Sequence, residues 1–454
     1  METYFEPARQ VPVHASVDVL VVGSGPAGLS AAIAAAREGM NTMIVERYGC
    51  FGGVITQVGI EALAWYRHTG TVEAGGLLFE YEATAKAMGA SSQESQSDSQ
   101  ALDAEMFKYC ADRLVQGAGV VPLLHCFGVA AMLEGNKVVG IVTESKSGRM
   151  AIRAKRVIDC TGDGDIAALA GAPYTKYSRE KLMAATQVFS CSGLDIDAFN
   201  DYVQNTLKPT YRDWGGDWAI KTADKEDEMF SPYISRCFEE AVAEGMIAKD
   251  EFVSLGGTWS TIKPNGDITQ LNLVFQSNID STDVEDLTKG EIMGRDNAIR
   301  AIKVLNEKVP GFRNARLRNF GMAIGCRESR KINGLYCLTE HDVLNQAKFE
   351  DSIGIYPEFI DGCGILILPT TGRYFQVPYR AMVPQEIDNL LVAGRCISGD
   401  RIAHSAFRNM SCCVVTGQGA GVAAAVSIRE QTTTSQVDLK KVQKCLEKQH
   451  VRVF

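Results

Sequence analysis

Residues 17–46 read VDVLVVGSGPAGLSAAIAAAREGMNTMIVE, and this stretch decides the fold. An apolar run leads into a glycine turn, a helix of small residues, a second apolar run and an acid. Gly23 permits the tight turn out of the first strand. Gly25 lets backbone N–H groups come close to a pyrophosphate, with Pro26 and Ala27 opening the helix beside it. Gly28 lets that helix pack closely on the sheet. The positive N-terminus of the helix then faces the phosphates. Glu46 follows Gly28 by 18 residues (46 − 28), at the end of the second strand. There its carboxylate can accept both hydroxyls of an adenosine ribose, with Arg47 next to it. A membrane span over 20–36 is the competing reading, but the run is short and broken by glycine.

The chain has 454 residues, 46% of them hydrophobic and 22% charged, enough for two or three domains with large cores. Its net charge of −9 argues against a nucleic-acid partner. Thirteen cysteines without a CxxC pair fit free thiols in a reducing compartment, so a cytoplasmic protein is expected. The first sixteen residues lack the apolar segment of a secretory signal.

Outward from the opening unit, 90–100 (ASSQESQSDSQ) reads as a disordered linker. A helix over 102–116 follows, with Asp103 as its N-cap. Short β-like runs come next at 119–124, 127–133, 137–144 and 149–152, then a strand at 157–159 ending in the turn CTGDGD. The character changes between about 172 and 378, where Trp214, Trp218 and Trp259 fall. That middle reads as a domain inserted into the first. The opening pattern returns at 389–394 (NLLVAG) and continues into a small-residue helix near 411–428.

The ordered set GSGPAG, Glu46, YGCFGG, IDCTGDGD, DNLLVAGR and TGQGAGVAAA resembles the FAD-dependent oxidoreductases of the glutathione-reductase-like flavoprotein class. Fumarate reductase and succinate dehydrogenase flavoproteins look like distant relatives. The resemblance covers most of 1–175 and 320–430. It implies an α/β fold: a Rossmann-like FAD-binding domain formed by 1–172 and 381–454, with an inserted α+β substrate domain at 173–380. It implies FAD as the cofactor, with Gly23, Gly25, Pro26, Ala27, Gly28, Glu46 and Arg47 at the dinucleotide turn. Gly52 and Gly53 match a second glycine pair beside the cofactor, and Val129 a strand offering its backbone to adenine. Thr161, Gly162 and Asp163 match the closing turn, and Gly394 and Arg395 the strand end near the flavin. Gly417 lies in a final helix whose N-terminus would face the isoalloxazine; the late glycines also read as plain helix packing. No histidine sits beside Gly52–Gly53 before His68, so the FAD is expected to be non-covalent. With no second GxGxxG unit and no CxxC, neither a separate NAD(P)H domain nor dithiol chemistry is expected.

For chemistry beyond the cofactor, GCRESRKINGLY offers Arg327 and Arg330, which read either as a carboxylate or flavin-edge site or as a surface cluster with Glu328. In DRIAHSAFRNM, His404 can act as general acid or base, or be a structural histidine. Arg408 can stabilise negative charge on the flavin or substrate. Tyr374 and Tyr379 read as pocket wall or core, His341 and Asp342 as helix-start residues, and Cys412–Cys413 as packing. No metal-ligand spacing stands out. The expected activity is hydride transfer between a small organic substrate and flavin, with an unnamed electron acceptor or donor. A flavin monooxygenase, and an FAD-binding scaffold or RNA-modification flavoprotein, are the alternatives.

Overall fold

The computed structural model describes residues 2–63, 72–94, 97–214, 218–221, 229–248, 255–368 and 372–454. The opening unit is as read. Strand β1 (Val13–Val22) leads through the glycine turn into helix α1 (Pro26–Arg37) and then strand β2 (Thr42–Val45). β1 and β2 run parallel, Val19 opposite Thr42 and Val22 opposite Val45. Val19, Leu20 and Val21 are fully buried, which explains an uninterrupted apolar run: a parallel strand covered on both faces has no solvent side. Pro26 suits the first helical position, where its missing N–H costs nothing.

The main sheet places Val121–Leu123, β2, β1 and Gly148–Asp159 side by side. The outer edge of Gly148–Asp159 is shared: Leu390–Val392 pairs parallel with its C-terminal end, and the hairpin Phe127–Glu134/Lys137–Ser145 antiparallel with its N-terminal part. The sequence reading split this strand at 152. The interrupting charges instead obey the strand's two-residue period, with Arg153 and Lys155 exposed and Arg156 buried, its Nε donating to Ser427 Oγ at 2.8 Å.

Within the polar stretch 90–100, the described residues 90–94 and 97–100 are not a disordered linker. Ser91–Gln93 and Gln100–Leu102 form an antiparallel hairpin. Several of its polar groups are paired: Gln93 Nε2 donates to Ser97 O at 2.8 Å, and Glu82 of the preceding helix accepts from Gln100 N at 2.6 Å. The next helix, Ala104–Gly117, is capped by Asp103, which accepts from Glu105 N and Met106 N.

The last long helix, Met410–Arg429, packs against α1. A Cβ at Gly417 would lie 2.1 Å from Ala27 O, and one at Gly421 2.2 Å from Ala31 O, so both positions must be glycine for the backbones to meet. This helix is long and apolar enough to cross a membrane, but 94% of its apolar window is buried inside the protein.

A second, antiparallel sheet runs in the order Tyr233–Ile234, Leu255–Thr258, Ile268–Gln276, Ala185–Ser192, Arg316–Phe320. Helix Val284–Lys308, capped by Asp283, packs on it. Its buried side chains form their own core, with Phe199 edge-on to Trp259 and to Phe312, each at 5.3 Å between ring centroids. The buried residues of 332–383 join the core of the first sheet. Between the two sheets lies a cavity of about 990 Å³, lined from both sides.

Candidate active site

One end of the cavity is the glycine turn. Gly23 has φ +91°, and a Cβ there would lie 2.4 Å from Cys160 O. A Cβ on Gly28 would come within 1.8 Å of Gly23 O, so its role is close helix–strand packing. Gly53, at φ +55°, passes so near Gly25 that its Cβ would stand 2.5 Å from Gly25 Cα. α1 has Gly25 as its N-cap and so no side-chain cap, and no capping side chain takes up its first N–H groups at the cavity edge. Glu46 is buried at the end of β2. Its Oε2 accepts from Ser24 N at 2.9 Å and Ser24 Oγ at 2.6 Å, and its Oε1 from Tyr48 N at 3.0 Å. A carboxylate offers about four acceptor sites, so capacity remains on the cavity side. The turn, the uncapped helix and the fixed carboxylate fit an adenosine dinucleotide.

Further along stands the turn Thr161–Gly162–Asp163. Asp159 shapes it by accepting from Thr161 N at 3.0 Å, Thr161 Oγ1 at 2.7 Å and Ala167 N at 2.8 Å. Asp163 then ties four segments together through Oδ1, which accepts from Ser281 Oγ at 2.8 Å, Ser329 Oγ at 2.5 Å and Arg395 Nη2 at 2.9 Å. Burial pushes its carboxyl up, but Arg395 and the hydroxyls outweigh this and hold it below the usual carboxylate range. Gly162 is packed under Arg395, with a Cβ there 2.9 Å from Nη2. Gly394, at φ +88°, donates its N–H to Thr416 Oγ1 at 2.9 Å.

The far end is a chamber between the second sheet and the hairpin Ile360–Gly362/Ile365–Ile367. Arg327, Arg408 and Asp361 face it, with Phe275, Trp214, Trp218 and Tyr233 as aromatic walls. Arg327 stacks over Phe275, 4.6 Å from the ring centroid, and donates from Nη1 to Ala184 O at 2.8 Å. Arg408 pairs with Asp361, Nη2 to Oδ2 at 3.1 Å, and also donates to its carbonyl. Asn409 and Met410 bring the N-terminus of the last long helix to the cavity wall.

Of the residues singled out from sequence, Gly23, Gly25, Pro26, Ala27, Glu46, Arg47, Gly53, Thr161, Gly162, Asp163, Arg327, Gly394, Arg395 and Arg408 line this cavity. Gly28, Gly52, Val129, His404 and Gly417 do not. Gly52 lies over Thr56, with a Cβ 2.5 Å from its Cγ2. On the strand carrying Val129, it is Phe127 and Gly128 that reach the cavity, with Cys126 before them. Gly417 serves helix packing. His404 is completely buried, edge-on to Phe407 at 5.3 Å. Burial and the nearby Lys331 and Arg408 charges hold its imidazole well below the ordinary value, so it stays neutral behind the wall. Arg330 pairs with Asp165 at 2.8 Å, while Glu328 is buried and pairs with Lys331 at 2.7 Å, so there is no surface cluster. Tyr379 is core, its hydroxyl donating to Thr434 O at 2.7 Å, and Tyr374 lies outside the cavity beneath Lys348. Asp342 completes a capping box with Thr339, as a helix-start residue should. His68 lies outside the described residues. Sequence reasoning missed Asp361, Phe275 and Tyr233. It noted Trp214 and Trp218 only as markers of the middle segment.

With this geometry in place, known proteins can be compared. The family model described as FAD dependent oxidoreductase matches residues 18–446. Thiamine thiazole synthase of Sulfolobus acidocaldarius is 29% identical over 164 residues, 34% of this chain and 58% of that protein. Digeranylgeranylglycerophospholipid reductase 1 of Methanopyrus kandleri is 34% identical over 149 residues, 32% of this chain and 39% of that one. The chain thus spans 58% of the first relative's length and 39% of the second's. A solved geranylgeranyl bacteriochlorophyll reductase-like protein from Thermoplasma acidophilum aligns with TM-score 0.47 and 15% identity, covering 96% of this chain and 84% of that one. The p-nitrophenol 4-monooxygenase of Pseudomonas putida aligns with TM-score 0.45 and 10% identity, over 95% and 84%. The match over 18–446 and a site built for an adenosine dinucleotide lead to one conclusion: the chain belongs to the FAD-dependent oxidoreductase family, and it is an enzyme with FAD as its cofactor.

Proposed function

We propose that the enzyme transfers a hydride between a small organic substrate and FAD, with the arginine-lined chamber as the substrate site. The observation that carries this reading is the continuity of the cavity. From the glycine turn and Glu46 it runs on, past what a dinucleotide-binding turn requires, into a second compartment walled by the inserted sheet. Its volume, about 990 Å³, is at the upper end for a single ligand pocket and suits a cofactor plus a small substrate. Bound FAD supplies the two-electron chemistry, and the protein supplies binding, orientation and charge.

The chain's own groups divide that work. The uncapped N–H groups of α1 hold the pyrophosphate, and Glu46 the ribose. Arg395, which lines the cavity, is held by Asp163. Arg327 and Arg408 supply positive charge to the chamber, and the aromatic walls offer apolar surface to a substrate's carbon skeleton. His404 takes no part in proton transfer, since it is sealed off from the cavity.

The test is anaerobic titration of the purified yellow protein against a metabolite panel, following flavin absorbance. Bleaching by a substrate without oxygen supports hydride transfer. Bleaching only with added NAD(P)H moves the assignment to a monooxygenase, and tight partner binding with no bleaching to a scaffold.

A further inference from the structure

We propose that Arg327 and Arg408 together bind the carboxylate of an organic-acid substrate; this rests on the chamber being the substrate site. The arginines of the protein differ in how their charge and hydrogen bonds are met. Arg395, Arg330, Arg373 and Arg380 each pair with a carboxylate: Asp163, Asp165, Glu358 and Asp351. Arg327 does not. Among the described residues its guanidinium makes no ion pair, and its hydrogen bond to Ala184 O uses one of five N–H donors. One face is covered by Phe275. The side chain lines the cavity.

Its charged neighbour makes matters worse. Burial first, and then the positive charge of Arg408, lower the Arg327 guanidinium to about 10. Asp361, the acid on this wall, is already engaged by Arg408. Arg408 also keeps a buried Nε without a partner. Arg327 and Arg408 thus stand beside one carboxylate, Asp361, which only Arg408 engages, and Arg327 keeps a positive charge and N–H donors that no carboxylate takes up. A second carboxylate neutralises the excess and accepts from both. Its two coplanar oxygens match guanidinium geometry, and the aromatic walls suit a carbon skeleton better than a bare inorganic anion.

The oxidised holoenzyme should be titrated with benzoate and malonate, and with benzamide, malonamide and inorganic phosphate, following the visible flavin spectrum and binding heat. The carboxylates should bind and perturb the spectrum, and the amides and phosphate should not. Arg327→Gln should retain FAD and weaken carboxylate binding by roughly ten- to a hundredfold, the scale of a lost charged hydrogen bond. Arg327→Lys should lose less, keeping the charge but not the fork. Equal binding of carboxylates and amides, preference for phosphate, or unchanged binding in both variants overturns the proposal. So does loss of FAD from both variants, which would make Arg327 part of the cofactor site. The hydride-transfer reading fails separately. Carboxylates that bind as described while nothing in the panel bleaches the flavin refute that reading alone. Bleaching by a neutral substrate without carboxylate binding refutes this inference alone.

Discussion

Replacing Glu46 with alanine removes a side chain that ties the turn after β1 to the end of β2 at the expected ribose position. In the structure its carboxylate already receives three hydrogen bonds, from Ser24 N, Ser24 Oγ and Tyr48 N. The cavity-side capacity is what FAD would use. Two effects should therefore separate. A hydrogen bond to a charged group contributes about 1.5–3 kcal/mol, so losing one ribose contact should weaken FAD by roughly ten- to a hundredfold. The apoprotein should also lose stability, on the order of 1–3 kcal/mol, because the Ser24 and Tyr48 N–H groups lose their acceptor. Glu46→Gln keeps one acceptor oxygen but turns an amide N–H₂ toward a donor, and should fall between alanine and wild type. Flavin-fluorescence titration of apoprotein gives the affinity, and melting with and without excess FAD gives the stability. An FAD affinity within twofold of wild type in both variants would refute the assignment of Glu46 to the ribose.

Acid precipitation should release yellow FAD into the supernatant; colour retained in the pellet means a covalent link. Gly53→Ala places a Cβ 2.5 Å from Gly25 Cα at φ +55°, so the purified variant should be colourless, and an FAD-loaded one would contradict the close approach. Gly417→Ala should lower stability by about 1–3 kcal/mol or more through overpacking against Ala27 O, read as a shift in urea midpoint. His404 should make the protein acid-sensitive. Its folded imidazole stays neutral well below 6.5, whereas the unfolded one takes up a proton near that pH. The unfolded chain then binds more protons, so stability from this group is full above pH 6.5 and falls on acidification. The Tm of His404→Gln relative to wild type should rise between pH 7 and pH 5; a constant difference argues against it.

The dinucleotide half of the cavity was readable because its parts lie close in sequence and each has one physical reason. Gly23, Gly28 and Glu46 are fixed by a turn, a helix–strand contact and a strand end within 30 residues. Of the chamber, Arg327 and Arg408 were readable from their motifs, but Phe275, Asp361 and Trp214 were not, because they line one cavity only through long-range packing. No spacing encodes that meeting. His404 shows the same limit: its position beside Arg408 in sequence does not say which groups reach the cavity. The strand pair 91–93/100–102 was obscured because composition favoured disorder, while polar groups such as Gln93 and Gln100 find partners within the fold.

The contact of Gly417 and Gly421 with Ala27 and Ala31 also bears on how the protein is made. α1 is complete by residue 37, yet the helix that covers it begins at residue 410. At a synthesis rate of about 5–20 residues per second, the ribosome needs roughly twenty seconds to over a minute to bridge that gap. Throughout, the small apolar face of α1 is uncovered and its layer lacks a wall. Completion of the cofactor-binding layer is therefore a late event, after the second sheet has emerged and can fold. A nascent chain halted before residue 410 should carry no flavin and should be a substrate for chaperones that hold exposed apolar surface.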